Sequence, residues 1–352
     1  MDEMTLLRSV REDVAEPSET ALNTGRAAVL NGNAPHNTHR GLKRAGWTSL
    51  SALGATALIA VLVATNVVGL AGWRGGAEPA AADSLNSAAL GAIQNSDPVV
   101  GPGQYLNIAT TSAYLNSTAD NQYLEGVTEN LYVPANKTDD WVWVRPLGKP
   151  VKTFGPASAA FAQRDYDSRR KEFPNGDGTL RAAGGAFYGS SATPSLASLA
   201  ALPRDPYRLL NAIYLKTVGQ GGGPDDEAFV FIADTLRSGL APADLRAGLY
   251  RAAALIPGVK VTDAQATLNG RTGIAIGHLE NGSIMQEIII DPDTGLLIGE
   301  QSVTLKKMGE IPAGGLLGST SIVTAVVNSA PSGGTVCGDA MTMTATGCEG
   351  NG

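Results

Sequence analysis

Hydrophobic positions fall into three regimes along this chain: helical spacing at the N-terminus, one unbroken apolar run, and a long outer region where periods alternate. Leu6, Leu7, Val10 and Val14 recur at roughly helical spacing until Pro17 interrupts them. Ser18 is suited to cap a second helix that reaches about Leu30 and stops at Asn31-Gly32. Two such short amphipathic helices bury little by themselves, so they call for a surface to fold on. Residues 1–46 carry six basic and six acidic residues, a balance that favours a protein partner over the inner leaflet.

The second regime is Ala45–Trp73, which holds no charged residue. At ~1.5 Å per residue it is long enough to cross a ~30 Å hydrocarbon core with some tilt. Trp47 and Trp73 mark its ends, and His39-Arg40 and Lys43-Arg44 precede it. The basic flank places the N-terminus in the cytoplasm and everything after Trp73 outside, in a single pass through the cell membrane. A cleaved signal peptide is the alternative, with small residues at Ala77–Ala82 for a peptidase, but its apolar region would be shorter and nearer the terminus.

Residues 74–103 are rich in Ala, Gly, Pro and Ser and read as a stalk, with a short helix over Ser84–Gln94. From Gln104 the period is two, giving strands over Gln104–Leu115, Asn121–Val133 and Asp140–Leu147. Residues 148–192 have no dominant period and read as an irregular crossing loop. Helical signals follow over Ser195–Leu202, over Asp205–Lys216 with Pro206 at the first helical position, over Asp225–Ser238, and from Ala241-Pro242 to Leu255. Strands return at Val259–Leu268, Thr272–Leu279 and Ile284–Ile290, joined by Asn269-Gly270 and Asn281-Gly282. Asn-Gly between strand-like runs is a strong hairpin signal, because both turn residues need positive φ. Asp291–Gly295 makes a longer turn into Leu296–Lys306, and Ser319–Asn328 is the last strand. The order strands, helices, antiparallel meander is that of one α+β domain over 104–330, with a tail over 331–352.

Composition changes this picture little. The 352 residues carry a formal charge of −7, and since residues 1–46 are balanced, all of it lies beyond them. An acidic exterior argues against nucleic acid as a partner. Both cysteines, Cys337 and Cys348, lie on the outer side and read as one small disulfide loop.

Signatures of catalysis are absent: there is no G-x-S-x-G, no H-E-x-x-H and no Walker lysine. The reading is therefore not an enzyme, with no catalytic residues, no metal and no cofactor. Gly219–Gly223 is a helix connector, His278 is a lone outer histidine, and Asp291 and Asp293 belong to a turn. Asp225, Asp226 and Glu227 are charges suited to a helix start. His36 and His39 lie in a polar loop without a cysteine nearby. Trp141 and Trp143 alternate with Val142 and Val144, so both rings share one sheet face. A strand apolar on both sides is buried between layers or lines a groove, which makes the two tryptophans candidate ligand-binding residues.

The tail pattern Leu6-Leu7, Arg11, Asp13-Val14, Pro17, Leu22, Arg26, Leu30 before a single span resembles an actinobacterial group of membrane-anchored proteins of unknown function. Members are found beside extracytoplasmic-function sigma factors. Leu202–Pro206 with Leu209-Leu210, Leu245–Ala247 with Tyr250–Ala252, Leu255–Val259, Gly270–Gly273 and Glu287–Leu297 extend the resemblance outside. It implies an outer domain like that of lipoprotein carriers and periplasmic sigma-regulator sensors: a half-barrel, in which a curved antiparallel sheet holds helices on its concave face. It also implies a sensor acting on a cytoplasmic partner such as a sigma factor, or alternatively a tethered lipid or lipopeptide binding protein. Zinc-type anti-sigma domains carry a His and paired cysteines, and this tail has no cysteine, so a sigma contact here would work without zinc.

Overall fold

A computed structural model of the protein describes residues 75–95, 97–118, 121–172, 178–187, 195–337, 341–344 and 347–350. The chain divides into two units, Met1–Ala52 and Leu53–Gly352, and every described residue belongs to the second. The tail over 1–44 and the expected span Ala45–Trp73 lie outside the described residues. Among the described residues no helix is long and apolar enough to cross a membrane.

Helix α1 (Pro79–Gln94) opens the domain. Strands β1 (Tyr105–Ser117), β2 (Gln122–Pro134), β3 (Asp140–Arg145) and β4 (Lys149–Thr153) precede helix α2 (Pro156–Glu172) and strand β5 (Gly178–Ala183). Four helices follow: α3 (Leu196–Ala201), α4 (Pro206–Lys216), α5 (Pro224–Arg237) and α6 (Ala243–Ala253). The chain then runs through β6 (Lys260–Leu268), β7 (Arg271–Glu280), β8 (Ile284–Ile290), β9 (Leu297–Thr304) and β10 (Leu316–Val327). Short strands β11 (Thr335–Val336), β12 (Met341–Thr344) and β13 (Gly347–Gly350) end it.

Eleven strands form one sheet in the order β11-β5-β3-β2-β1-β10-β9-β8-β7-β6, with β4 also on β2. Two antiparallel meanders are joined where β1 pairs β10, from Tyr105↔Val327 to Tyr114↔Gly318. The half-barrel expected from the resemblance is not what forms: the sheet is open, and its end strands β11 and β6 do not pair. The outer edge of β5 is taken by the parallel strand β11. The opposite edge strand, β6, slips register twice, between Val261 and Asp263 and between Asp263 and Ala266. Such irregularity blunts an edge against further pairing.

The main core lies between the C-terminal meander and the helices. Ile276, Ile288, Ile290, Leu297 and Ile322 meet Leu209, Ile213, Phe229, Ile232, Leu245 and Leu249, all buried. Helix α1 joins the same core through Ala81, Leu85, Ala88, Ala89 and Ala92, so the segment that composition assigned to a stalk contributes a packed helix. Its small residues allow close approach to α6, and burying Leu85 contributes about 2 kcal/mol.

Helix α2 and strands β4 and β5 occupy the stretch expected to be a loop. The sequence PASAAFAQRDYDSRRKE has almost no apolar stripe, and only Ser158 and Ala162 are buried in it. Polar contacts hold it instead: Asp165 accepts from Tyr123 at 2.6 Å, and Arg169 pairs with Glu125 at 2.7 Å and with Asp165 at 2.9 Å.

Both Asn-Gly turns have the expected left-handed backbone: Asn269 and Gly270 at φ 50° and 78°, Asn281 and Gly282 at 49° and 64°. A Cβ at Gly270 or Gly282 would meet nothing within 4 Å. Replacing either by Val therefore tests φ strain alone, and thermal unfolding should report a loss of about 1–2 kcal/mol for each.

Candidate functional site

Where the two meanders join, the last residues of α5 and the loop after it leave the sheet surface and return as α6. Gly239 makes that path possible: its φ is +66°, and a Cβ there would lie 2.9 Å from Ile108. Beneath this loop lies a cavity of about 370 Å³, within the size range of small-molecule sites. Its walls come from β1 and β2 (Leu106, Val133), β10 (Ile322, Val323, Thr324), the α5–α6 loop (Leu240, Ala241, Pro242), and Asn95, Asp97, Pro98 and Val100.

The lining is mostly apolar, with four charged side chains: Asp97, Lys137, Arg246 and Arg271. Both oxygens of Asp97 are engaged. One oxygen accepts from the backbone N of Ala243 at 2.9 Å, and the other from Arg246 Nη1 at 2.6 Å. The first contact places a carboxylate at the N-terminus of α6, where the helix dipole favours it. Arg246 also donates to Ala241 O, while its buried Nε has no partner.

Lys137 and Arg271 are anchored differently, on backbone carbonyls. Lys137 Nζ donates to Pro134 O at 2.8 Å, and Arg271 Nη1 to Ile322 O at 2.9 Å. Burial holds the Lys137 ammonium below its usual range. Among the described residues neither cation forms an ion pair with a carboxylate.

Trp141 and Trp143 stand behind this wall without lining it. Trp141 is 4% exposed and donates from Nε1 to Lys137 O at 3.1 Å, so it fixes the loop that carries Lys137. Trp143 stacks edge-on to Phe187 at 5.4 Å and lies under the Arg145 guanidinium at 4.4 Å. Leu106, Val133, Leu196 and Leu240 belong both to the apolar cluster of the tryptophans and to the cavity wall.

The other sequence candidates lie elsewhere. Cys337 is disulfide-bonded and buried, with its backbone N donating to Arg181 O at 2.7 Å. Cys348, the chain's other cysteine, lies on β13, and its side chain is outside the described residues. His278 is buried beside Phe229, with Nδ1 3.2 Å from Asp226 Oδ1 and Nε2 3.1 Å from Pro257 O. Nε2 is hydrogen-bonded to Pro257 O while Nδ1, although close to Asp226, makes no hydrogen bond, and the residue packs α5 against the sheet. Asp291 Oδ1 accepts from the backbone N of Asp293 and of Thr294, which is the work of a turn residue. Asp225, Asp226 and Glu227 stand in the first turn of α5. No group of three or more metal-ligating side chains occurs among the described residues.

Neither Lys137 nor Arg271 stood out in the sequence. Lys137 sits inside a polar turn and Arg271 behind an Asn-Gly hairpin, and 134 positions separate them. No spacing rule connects such residues. Only the join of β1 to β10 brings them to one cavity.

No family model matches the chain, and no curated protein matches it. Among solved structures it is similar to the complex structure of Pseudomonas aeruginosa MucA/MucB, at 12% identity and a TM-score of 0.26. The match covers 72% of this chain and 59% of that one, so the chain spans less than two thirds of that protein's length. The likeness is weak and partial.

Proposed function

We propose that the protein is a non-enzymatic, membrane-anchored regulator whose outer domain senses an apolar ligand. The observation that carries this reading is the cavity at the join of the two meanders, walled by aliphatic side chains and roofed by the α5–α6 loop. A pocket of this kind with a few polar groups at its rim suits binding. None of its charged groups is arranged as a nucleophile with a base, so it serves recognition more readily than chemistry. In this reading Ala45–Trp73 is the anchor and residues 1–44 dock a cytoplasmic partner such as a sigma factor. A tethered lipid or lipopeptide carrier, using the tail for insertion only, would share the cavity and differ at the tail.

The ligand reading is tested with N-phenyl-1-naphthylamine, a neutral apolar dye that brightens when it leaves water. The full chain in phosphatidylcholine nanodiscs should give a saturable signal above that of empty nanodiscs. Leu106→Trp, which fills the cavity from a half-buried wall position, should lower dye affinity about tenfold or more, and Thr324→Trp on the exposed side should act in the same direction. Unchanged binding in both folded variants would refute the site. Capture of a sigma factor by the full chain, lost when residues 1–44 are removed, would favour the regulator over the carrier.

A further inference from the structure

We infer that the cavity takes an amphiphile with an anionic head, an acyl or alkyl chain ending in a carboxylate or phosphate, and that Lys137 and Arg271 are its counter-charges. The inference rests on the ligand-sensing reading and adds the chemistry of the ligand.

The argument is one of charge balance inside a single cavity. Four charged side chains line it, and two cancel, because Arg246 and Asp97 are bonded to each other at 2.6 Å. Asp97 forms no ion pair with Lys137 or Arg271: its contacts are Arg246 and, through its second oxygen, the backbone N of Ala243. Lys137 and Arg271 remain as two positive charges facing an aliphatic wall. Each is half-buried, so each has given up part of its hydration without gaining a carboxylate. The domain around them is acidic, with the −7 charge lying outside the balanced tail. Two uncompensated cations in an otherwise acidic domain, collected on an apolar cavity, are complementary to a chain with a negative head.

Both cations are also held in place before any ligand arrives. Lys137 is tethered to Pro134 O, and its own carbonyl is fixed by the buried Trp141 indole. Arg271 is tethered to Ile322 O by one of its five N–H donors, while Asn269 of the same hairpin donates to Ser321 Oγ at 3.2 Å. The remaining guanidinium donors suit a planar carboxylate or a phosphate. A cationic or neutral amphiphile would fill the same apolar space and leave both charges uncompensated. That difference makes head-group selectivity the signature of this site.

The experiment is displacement of the bound dye by matched twelve-carbon probes: dodecanoate, dodecanol and dodecyltrimethylammonium. With the full chain in phosphatidylcholine nanodiscs, dodecanoate should displace at concentrations about tenfold or more below dodecanol, and the cation should be weakest. In the double variant Lys137→Met, Arg271→Gln the ratio of the dodecanoate and dodecanol displacing concentrations should fall to about one. Raising the salt concentration should shrink the preference in the unmodified protein, because both charges are part-exposed. Replacing phosphatidylcholine by phosphatidylglycerol distinguishes the two sources of such a ligand. A weaker apparent affinity for dodecanoate, in the unmodified protein but not in the variant, would mark bilayer lipid as the occupant; no change would mark a free amphiphile. Equal displacement by dodecanoate and dodecanol, or a preference that survives the double substitution, would overturn the inference. Failure of the dye itself to bind would instead overturn the ligand-sensing reading.

Discussion

Replacing Gly295 by Val is expected to cost about 4 kcal/mol or more, enough to leave little folded protein at 37 °C. Gly295 ends the Asp291–Gly295 turn at φ +65°, nearly the backbone angle of Gly282. The two positions differ in what surrounds them. A Cβ at Gly282 would meet nothing within 4 Å, whereas at Gly295 it would lie 2.1 Å from Ala88 O and 2.5 Å from Ala92 N, both backbone atoms of α1. Backbone inside a helix has nowhere to move, so the overlap adds to the φ strain. The same turn is pinned from two further sides: Tyr250 donates to Gly295 O at 3.0 Å, and Asn95 Nδ2 to Thr294 O at 3.2 Å. Gly91 of α1 approaches as closely, its Cβ position 2.9 Å from Gly295 N. Losing this contact would release α1 from the core it shares with α6. Thermal unfolding of Gly295→Val beside Gly282→Val separates the two terms. Equal losses would mean that α1 is not packed on this turn.

Stability should also fall as pH rises from about 4.5 to about 7, and Glu300 is the reason. Its carboxyl is buried on β9, and burial pushes its pKa up to about 7, against the opposing pull of Arg237. One oxygen lies 2.7 Å from Arg237 Nε, while the other is buried without a hydrogen-bond partner. Asp234 contributes in the same direction as burial, and its own carboxylate accepts from Arg237 at 2.5 Å. Tyr114 faces the same guanidinium, accepting from it at 3.4 Å, and its hydroxyl meets Thr320 at 2.9 Å.

The sign follows from proton binding. Between the unfolded value of roughly 4.3 and the folded value, the native state holds the proton more tightly, so unfolding releases it and each rise in pH favours the unfolded chain. Below that window the contribution is constant at its most favourable, and above about pH 7 it is fully lost. The total is about 4 kcal/mol, from the size of the shift at ~1.4 kcal/mol per pH unit. Glu300→Gln keeps the shape and removes the ionisation, so its stability should be flatter across this window than that of the unmodified protein. Denaturant unfolding at pH 4.5, 6 and 7.5 checks it. Parallel curves for the two proteins would exclude Glu300 as the source. Arg237 lies one residue from Leu236 and two from Gly239, which line the cavity, so the same titration is placed to affect the roof of the site.

Local rules carry the sequence reading far in the C-terminal half. The Asn269-Gly270 and Asn281-Gly282 turns set strand register within a few residues, and Asp205-Pro206 and Asp225–Glu227 start helices by capping and charge that act within one turn. Such signals need no distant partner, so the sequence by itself determines the order of β6–β10 and α4–α6, the strand character of β1–β3, and the absence of familiar catalytic motifs. Helix α2 left no apolar period to detect, because its hold on the sheet comes from Tyr123, Asp165 and Arg169 and not from a buried stripe. The sequence reads a short helix over Ser84–Gln94 inside a stalk, and what it misses is the packing of α1, because alanine and glycine are as common in flexible segments as in tightly packed helices. What tertiary structure alone decided is the join of β1 to β10, a pairing between residues more than 200 positions apart, for which loop closure leaves no trace in either strand. The cavity beneath the α5–α6 loop, and the presence of both Lys137 and Arg271 in its wall, follow from that one pairing.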